Sequence, residues 1–142
     1  MKTILLMGST GCGKTTLTQK LNGEQLIYQK TQTIQVSASV IDTPGEYLEN
    51  RGMYKALVVT AVDAELLVFV QDAADERFRF SPGQASMFAK PVIGVVTKLD
   101  CATPQQAAQA EELLRLAGAE EIFLVSAVTG EGMKALAEFL EA

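Results

Sequence analysis

Gly8-Ser9-Thr10-Gly11-Cys12-Gly13-Lys14-Thr15 has the residue types and spacing that hold a polyphosphate. The stretch satisfies G-x-x-x-x-G-K-[ST] in full. Gly8, Gly11 and Gly13 permit a tight backbone path on which successive N–H groups converge on an anion. A helix starting here adds unpaired N–H donors and the positive end of its dipole. Lys14 can reach the β- and γ-phosphates of a nucleoside triphosphate, and the Thr15 hydroxyl is a ligand type for Mg²⁺. Thr16, the next residue, joins the nucleotide-contacting set. The plainer alternative is a glycine-rich turn with a chance lysine, and the flanking elements decide between the two.

Those elements are the ones the chemistry needs. Thr3 to Met7 is an apolar run that reads as a buried strand, and Thr16 to Leu21 suits a helix closed by Asn22-Gly23. Further on, Thr33-Ile34-Gln35-Val36 alternates as an edge strand should, and Val40-Ile41 leads into Asp42-Thr43-Pro44-Gly45. That strand delivers Asp42 to the end of a sheet, where its carboxylate could hold Mg²⁺ directly or through water. Gly45 follows at a spacing that lets a backbone N–H approach the γ-phosphate. Thr31 is either a second hydroxyl ligand for Mg²⁺, from a loop that closes over the γ-phosphate, or an ordinary exposed threonine.

The rest of the chain alternates. Tyr54 to Val62 is helix-like, Leu66 to Val70 a buried strand, and Asp72 to Lys90 irregular. Within that irregular part, Arg77-Phe78-Arg79-Phe80 reads better as a loop pinned by its aromatics than as a partner surface. Pro91 to Val96 is another buried strand, ending in Thr97-Lys98-Leu99-Asp100. Thr103-Pro104-Gln105-Gln106 carries the cap, first-turn proline and third-position glutamine of a helix start, and Gly118 closes that helix. Ile122 to Val125 is the last strand, ending in Ser126-Ala127. The final helix places Met133, Leu136, Ala137 and Leu140 on one stripe, as core packing does. The order predicts one α/β domain over residues 1–142, a doubly wound, mostly parallel sheet with one antiparallel edge strand.

Composition narrows the function classes. The chain has 142 residues, 48% of them hydrophobic and 20% charged, with a formal net charge of −5. It is long enough for one core and too short for two ordinary domains. With no basic block to offset the acidic balance, nucleic acid is not an expected partner. No apolar run reaches the length of a membrane span, and Gly8 interrupts the first one too early for a signal peptide; the cysteines read by default as reduced thiols in the cytosol. There is no histidine, which removes imidazole acid–base and metal chemistry. Cys12 and Cys101 lie in separate motifs without metal-like spacing.

Taken together, Gly8 to Thr15, Asp42 to Gly45, Thr97 to Asp100 and Ser126-Ala127 resemble the motifs of small P-loop GTPases of the translation-factor-related class. The resemblance implies that Asp100 accepts from the N1–H and 2-amino group of guanine, while the Lys98 stem covers the ring. Thr97 stands where asparagine is commoner, and Ser126-Ala127 would bring a backbone N–H toward the guanine O6. Adenine offers no matching pair of donors and would leave the carboxylate unpaired. GTP is therefore the implied nucleotide, with ATP the alternative, and Lys14 and Glu46 are the implied catalytic groups. Thr10 crowds the space beside the γ-phosphate where glycine is common. Glu46 replaces a water-orienting glutamine and cannot donate as an amide does; it is either a weak catalytic substitute or a solvated loop carboxylate.

A closer resemblance covers nearly the whole chain. Lys30-Thr31-Gln32, then Ile41 through Arg51, then Pro91 through Lys98 are similar to the EutP/PduV family, particularly its PduV branch. This likeness implies a cytoplasmic protein at a bacterial microcompartment for ethanolamine or propanediol use, with shell or cytoskeletal proteins as partners. It also implies two rival activities, a slow GTPase or switch and an ATP-dependent acetate kinase. For the latter, Lys30 and Arg51 are the cations nearest the motifs. A third reading is a non-catalytic module that its bound nucleotide stabilises.

Overall fold

Strands that are apolar on both faces need a covering layer on each side. The computed structural model describes residues 4–8, 16–17, 40–42, 58–59, 61–62, 64–77, 80 and 82–141, and meets that need. Its strands are β1 (Ile4–Met7), β2 (Val40–Asp42), β3 (Leu66–Asp72), β4 (Val92–Thr97) and β5 (Ile122–Leu124). They form a 5-stranded sheet in the order β2-β1-β3-β4-β5, and every described pairing is parallel. The antiparallel edge strand expected at Thr33–Val36 lies outside the described residues.

Successive side chains on a strand point to opposite faces, so each strand feeds two cores. Leu5, Met7, Leu67, Phe69, Val92 and Val96 pack on one face with Ala110, Leu114 and Ala117 of α1 (Pro104–Ala117). Ile4, Leu6, Val68, Val70, Ile93 and Val95 pack on the other with Met133, Leu136 and Leu140 of α2 (Met133–Glu141). Helices on both faces make the sheet doubly wound, as the alternating order predicts. Gly94 lets α1 approach β4 closely, since a Cβ there would sit 2.9 Å from Leu114 Cδ1.

Both caps read from sequence for the Thr103–Gly118 helix are formed, while the Asn22-Gly23 stop lies outside the described residues. Thr103 Oγ1 accepts from the Gln106 N–H at 3.1 Å, and Gln106 Oε1 accepts from the Thr103 N–H at 2.9 Å. Pro104 opens α1, and Gly118 ends it in the left-handed region at φ 106°. Between β3 and β4 the loop is pinned by its aromatics. The Phe80 ring stacks on Phe69 with centroids 4.5 Å apart, and Phe88 meets Phe69 edge-on at 6.4 Å. Such pairs contribute roughly 0.5–1.5 kcal/mol each beyond their area burial.

Several boundaries differ from the sequence reading: β4 begins at Val92 rather than Pro91, and β5 ends at Leu124 rather than Val125. β3 runs past Val70 to include Gln71 and Asp72, because the buried Gln71 amide finds acceptors in the Asp75 and Arg77 carbonyls, the former at 2.9 Å. β4 takes in Thr97, whose hydroxyl donates to the Gln71 carbonyl at 3.3 Å and so needs no solvent. Both extensions carry polar residues toward the carboxyl ends of the strands, where the motifs gather.

Candidate nucleotide site

In parallel α/β sheets, ligands bind beyond the carboxyl ends of the strands. β1 ends at Met7 and passes to the buried Gly8, the first residue of the motif expected to cradle phosphates. Thr16 and Leu17 are helical; Leu17 is buried in the α2-side core, which seats the helix start against the sheet, and Thr16 is exposed. β2 runs beside β1 with Asp42 paired to Leu6, so Asp42 ends its strand next to the one that leads into the motif. Ser9 through Thr15, Thr31, Gly45 and Glu46 lie outside the described residues.

The second half of the site is described in side-chain detail. β4 ends at Thr97, and Lys98 then takes the left-handed conformation, φ 58° and ψ 39°. That conformation costs a side-chain-bearing residue about 1–2 kcal/mol. It turns the chain into a 3₁₀ turn at Leu99–Cys101, which the sequence reading did not anticipate. The Leu99 N–H donates to the Val125 carbonyl at 3.2 Å, joining this turn to the end of β5. The Ser126 hydroxyl donates to Asp100 Oδ1 at 2.7 Å. This bond is the main reason the Asp100 carboxyl lies below its ordinary value, with slight desolvation working the other way.

The loop after β5 is built to hold Ser126. Its N–H donates to the Glu131 carbonyl at 2.9 Å, and its carbonyl accepts from the Gly130 N–H at 2.8 Å. The Thr129 N–H donates to its Oγ at 3.2 Å, which leaves the hydroxyl proton for Asp100. Gly132, at φ 74°, closes the loop against β5 where a Cβ would collide with the Leu124 carbonyl oxygen. Only glycine fits both demands.

Thr16, Leu17, Thr97, Lys98, Asp100, Cys101, Val125, Ala127 and Val128 line one pocket of about 220 Å³. Sites for drug-sized ligands typically run to about 300 Å³ and above, so this one suits a base rather than a whole nucleotide. The structure thus brings Thr16, Thr97, Lys98, Asp100 and Ala127 together, with Ser126 behind Asp100. Sequence reasoning missed Leu17, Cys101, Val125 and Val128 in the lining, and Asp72, whose Oδ2 lies 3.4 Å from Lys98 Nζ. The available signal was a carboxylate closing a buried apolar run. A larger cavity, about 340 Å³, is lined by residues that begin β3 and β4 or precede β5, together with Phe139. Glu65, Glu120 and Glu121 on its wall would repel a phosphate, and it opens at the wrong end of the sheet.

Of the residues expected to hold Mg²⁺, Asp42 alone lies among the described residues, and it is described by its position at the end of β2. Among the described residues no cluster of three or more His, Cys, Asp or Glu could hold a metal.

The chain is 47% identical over 142 residues to propanediol utilization protein PduV from Citrobacter freundii, covering 100% of this chain and 95% of that protein. It is 33% identical over 142 residues to the probable acetate kinase EutP from Escherichia coli K12, covering 99% and 89%. Among solved structures, translation elongation factor SelB from Methanococcus maripaludis superposes with a TM-score of 0.70 at 22% identity. That match takes in 99% of this chain and about a third (32%) of the elongation factor, so it shows a shared small G-domain fold. The family model described as "Ethanolamine utilisation - propanediol utilisation" matches residues 1–142, and the chain is a member of this PduV-EutP family.

Proposed function

We propose that the chain binds GTP with Mg²⁺, hydrolyses it slowly, and acts as a nucleotide-dependent switch in the cytoplasm, at the surface of a propanediol- or ethanolamine-utilisation microcompartment. The observation that carries this reading is the Asp100 carboxylate, fixed by the Ser126 hydroxyl at 2.7 Å on the wall of a base-sized pocket that Lys98 also lines. A carboxylate held this way accepts from adjacent donors, and guanine presents them at N1 and the 2-amino group. Adenine presents no such pair. In this reading Gly8 to Thr15 with Thr16 cradle the phosphates, Thr15, Thr31 and Asp42 hold Mg²⁺, and the Gly45 N–H meets the γ-phosphate. The whole chain works as one domain. The family's name supports the metabolic setting, and shell or cytoskeletal proteins are the partner class.

Slow turnover follows from what the motifs supply. Lys14 would stabilise part of the charge on the γ-phosphoryl oxygens and a bound Mg²⁺ would supply more, but the Gly8–Thr15 motif holds no arginine and Glu46 cannot donate as glutamine does. A second reading is favoured by the 33% identical relative named a probable acetate kinase. There, an acetate oxygen attacks the γ-phosphorus of ATP in line, and acetyl phosphate and ADP leave.

The test is nucleotide consumption with GTP and with ATP, each with and without millimolar acetate. The switch reading expects GTP turnover below about 10⁻² per second and no acetate effect, in the range of unassisted GTPases. Acetate-dependent ATP consumption at roughly 1 per second, lost in Lys14→Ala, overturns it in favour of the kinase. Tight binding with no turnover under any condition leaves the nucleotide-stabilised module.

A further inference from the structure

Asp72 belongs to none of the recognition motifs, yet its carboxylate is aimed at one of them. Asp72 and Thr97 are register partners at the ends of β3 and β4, so Lys98 leaves its strand one residue beyond the paired position. The two strand ends are locked together, because the Ala73 N–H donates to the Thr97 carbonyl at 2.9 Å and the Thr97 hydroxyl donates back to Gln71. Asp72 Oδ1 accepts from the Ala74 N–H at 2.9 Å, which fixes the plane of the carboxylate. Its other oxygen then lies 3.4 Å from Lys98 Nζ, with the Asp72 and Lys98 side chains 21% and 43% exposed.

We infer that Asp72 is a positioning residue for nucleotide binding, which anchors the Lys98 ammonium so that the lysine stem lies ready along the base pocket. Lysine is among the side chains with most rotamer freedom to lose, and ordering it before the ligand arrives lowers the cost of association. The anchor also gives the ammonium a fixed counter-charge away from the phosphates, leaving Lys14 as the phosphate-directed cation. The inference rests on the base-pocket reading of Lys98. It adds a residue that acts through Lys98, touches no part of the nucleotide, and does not discriminate among purines.

Asp72→Asn is the informative variant, because the amide oxygen keeps the Ala74 bond while the charge is lost. Release of a fluorescent (mant) GDP is timed in wild type, Asp72→Asn, Lys98→Met and the double variant. An ion pair this exposed predicts release about two- to fivefold faster in Asp72→Asn. The same factor is predicted for mant-IDP, which lacks the 2-amino group, since a stem over the ring does not read that group. In the Lys98→Met background Asp72→Asn is predicted to change nothing further. Unchanged release in the single variant overturns the inference, as does equal acceleration with and without Lys98, which marks a structural role. Asp72→Lys, which sets two cations face to face, is predicted to accelerate release more than Asp72→Asn; a rate equal to wild type overturns it too. The guanine reading is judged apart from this, by wild-type preference for GTP over ATP. If ATP is preferred, that reading falls while the coupling is scored with mant-ADP, because the stem covers either purine.

Discussion

Ser126 Oγ donates to Asp100 Oδ1 at 2.7 Å, joining two residues 26 apart in sequence that leave neighbouring strands. Ser126 is 1% exposed, whereas Asp100 faces the pocket from the surface. A buried hydroxyl thus sets the orientation of an exposed carboxylate. The loop from Thr129 to Gly132 exists to hold that hydroxyl, and its own hydrogen bonds leave the proton no better acceptor.

Ser126→Ala is predicted to weaken GDP binding roughly fivefold, the usual worth of one hydrogen bond. IDP, which lacks the 2-amino group, is predicted to lose less, so the preference of GDP over IDP narrows. Isothermal calorimetry with both nucleotides measures this. An unchanged ratio would mean that Ser126 only supports its loop.

The same contact has a pH signature in the nucleotide-free protein. Asp100 is shifted below 3.8, chiefly by the Ser126 hydrogen bond. A group with a depressed folded-state pKa contributes stability above its unfolded pKa, and that contribution is lost as pH falls through the folded value. The gap in thermal stability between wild type and Ser126→Ala is therefore predicted to be constant from pH 7 to about pH 5 and to shrink in more acid solution. Melting curves across that range check it; a gap that widens with acid contradicts the assignment.

The central strands and the caps of α1 were legible in the sequence because each has a local cause. Buried strands show as unbroken apolar runs, and Thr103-Pro104 with Gln106 carries its capping box in four residues. Thr97, Lys98, Asp100, Ser126 and Ala127 were legible by resemblance, since motif residues keep their order whatever surrounds them. Asp72 and Cys101 were not, because what makes them matter is spatial. Asp72 meets Lys98 only once β3 and β4 are in register, and Cys101 reaches the pocket only through the 3₁₀ turn that the left-handed Lys98 starts. Gln71 shows the same limit: a polar residue ends strand signals, yet here it is buried and bonded to backbone carbonyls.

Cys101 gives a chemical readout of the pocket proposed to hold the base. Its exposed thiol lies 3.5 Å from Asp100 Oδ2, and donation to that carboxylate, with the carboxylate's charge, raises its pKa. Less thiolate is then present at pH 8, and the thiolate is the nucleophile. Iodoacetamide is predicted to label Cys101 more slowly than a free cysteine, faster in Asp100→Asn, and more slowly again when guanine nucleotide fills the pocket. Peptide mass spectrometry, which separates Cys101 from Cys12, follows the rates. Labelling indifferent to nucleotide would place the base elsewhere.

Base selection is the claim on which the functional reading stands, and Asp100 is the residue that decides it. Competition titrations of GTP, ATP and XTP against a fluorescent nucleotide, for wild type and Asp100→Asn, test it most directly. In wild type GTP is predicted to bind at least about tenfold tighter than ATP, since adenine leaves the carboxylate without its donors. In Asp100→Asn, GTP is predicted to weaken by a similar factor or more while XTP becomes the preferred ligand, because its 2-oxo group accepts from the new amide. A wild type that prefers ATP, with affinities untouched by Asp100→Asn, would contradict the guanine reading and favour phosphoryl transfer from ATP.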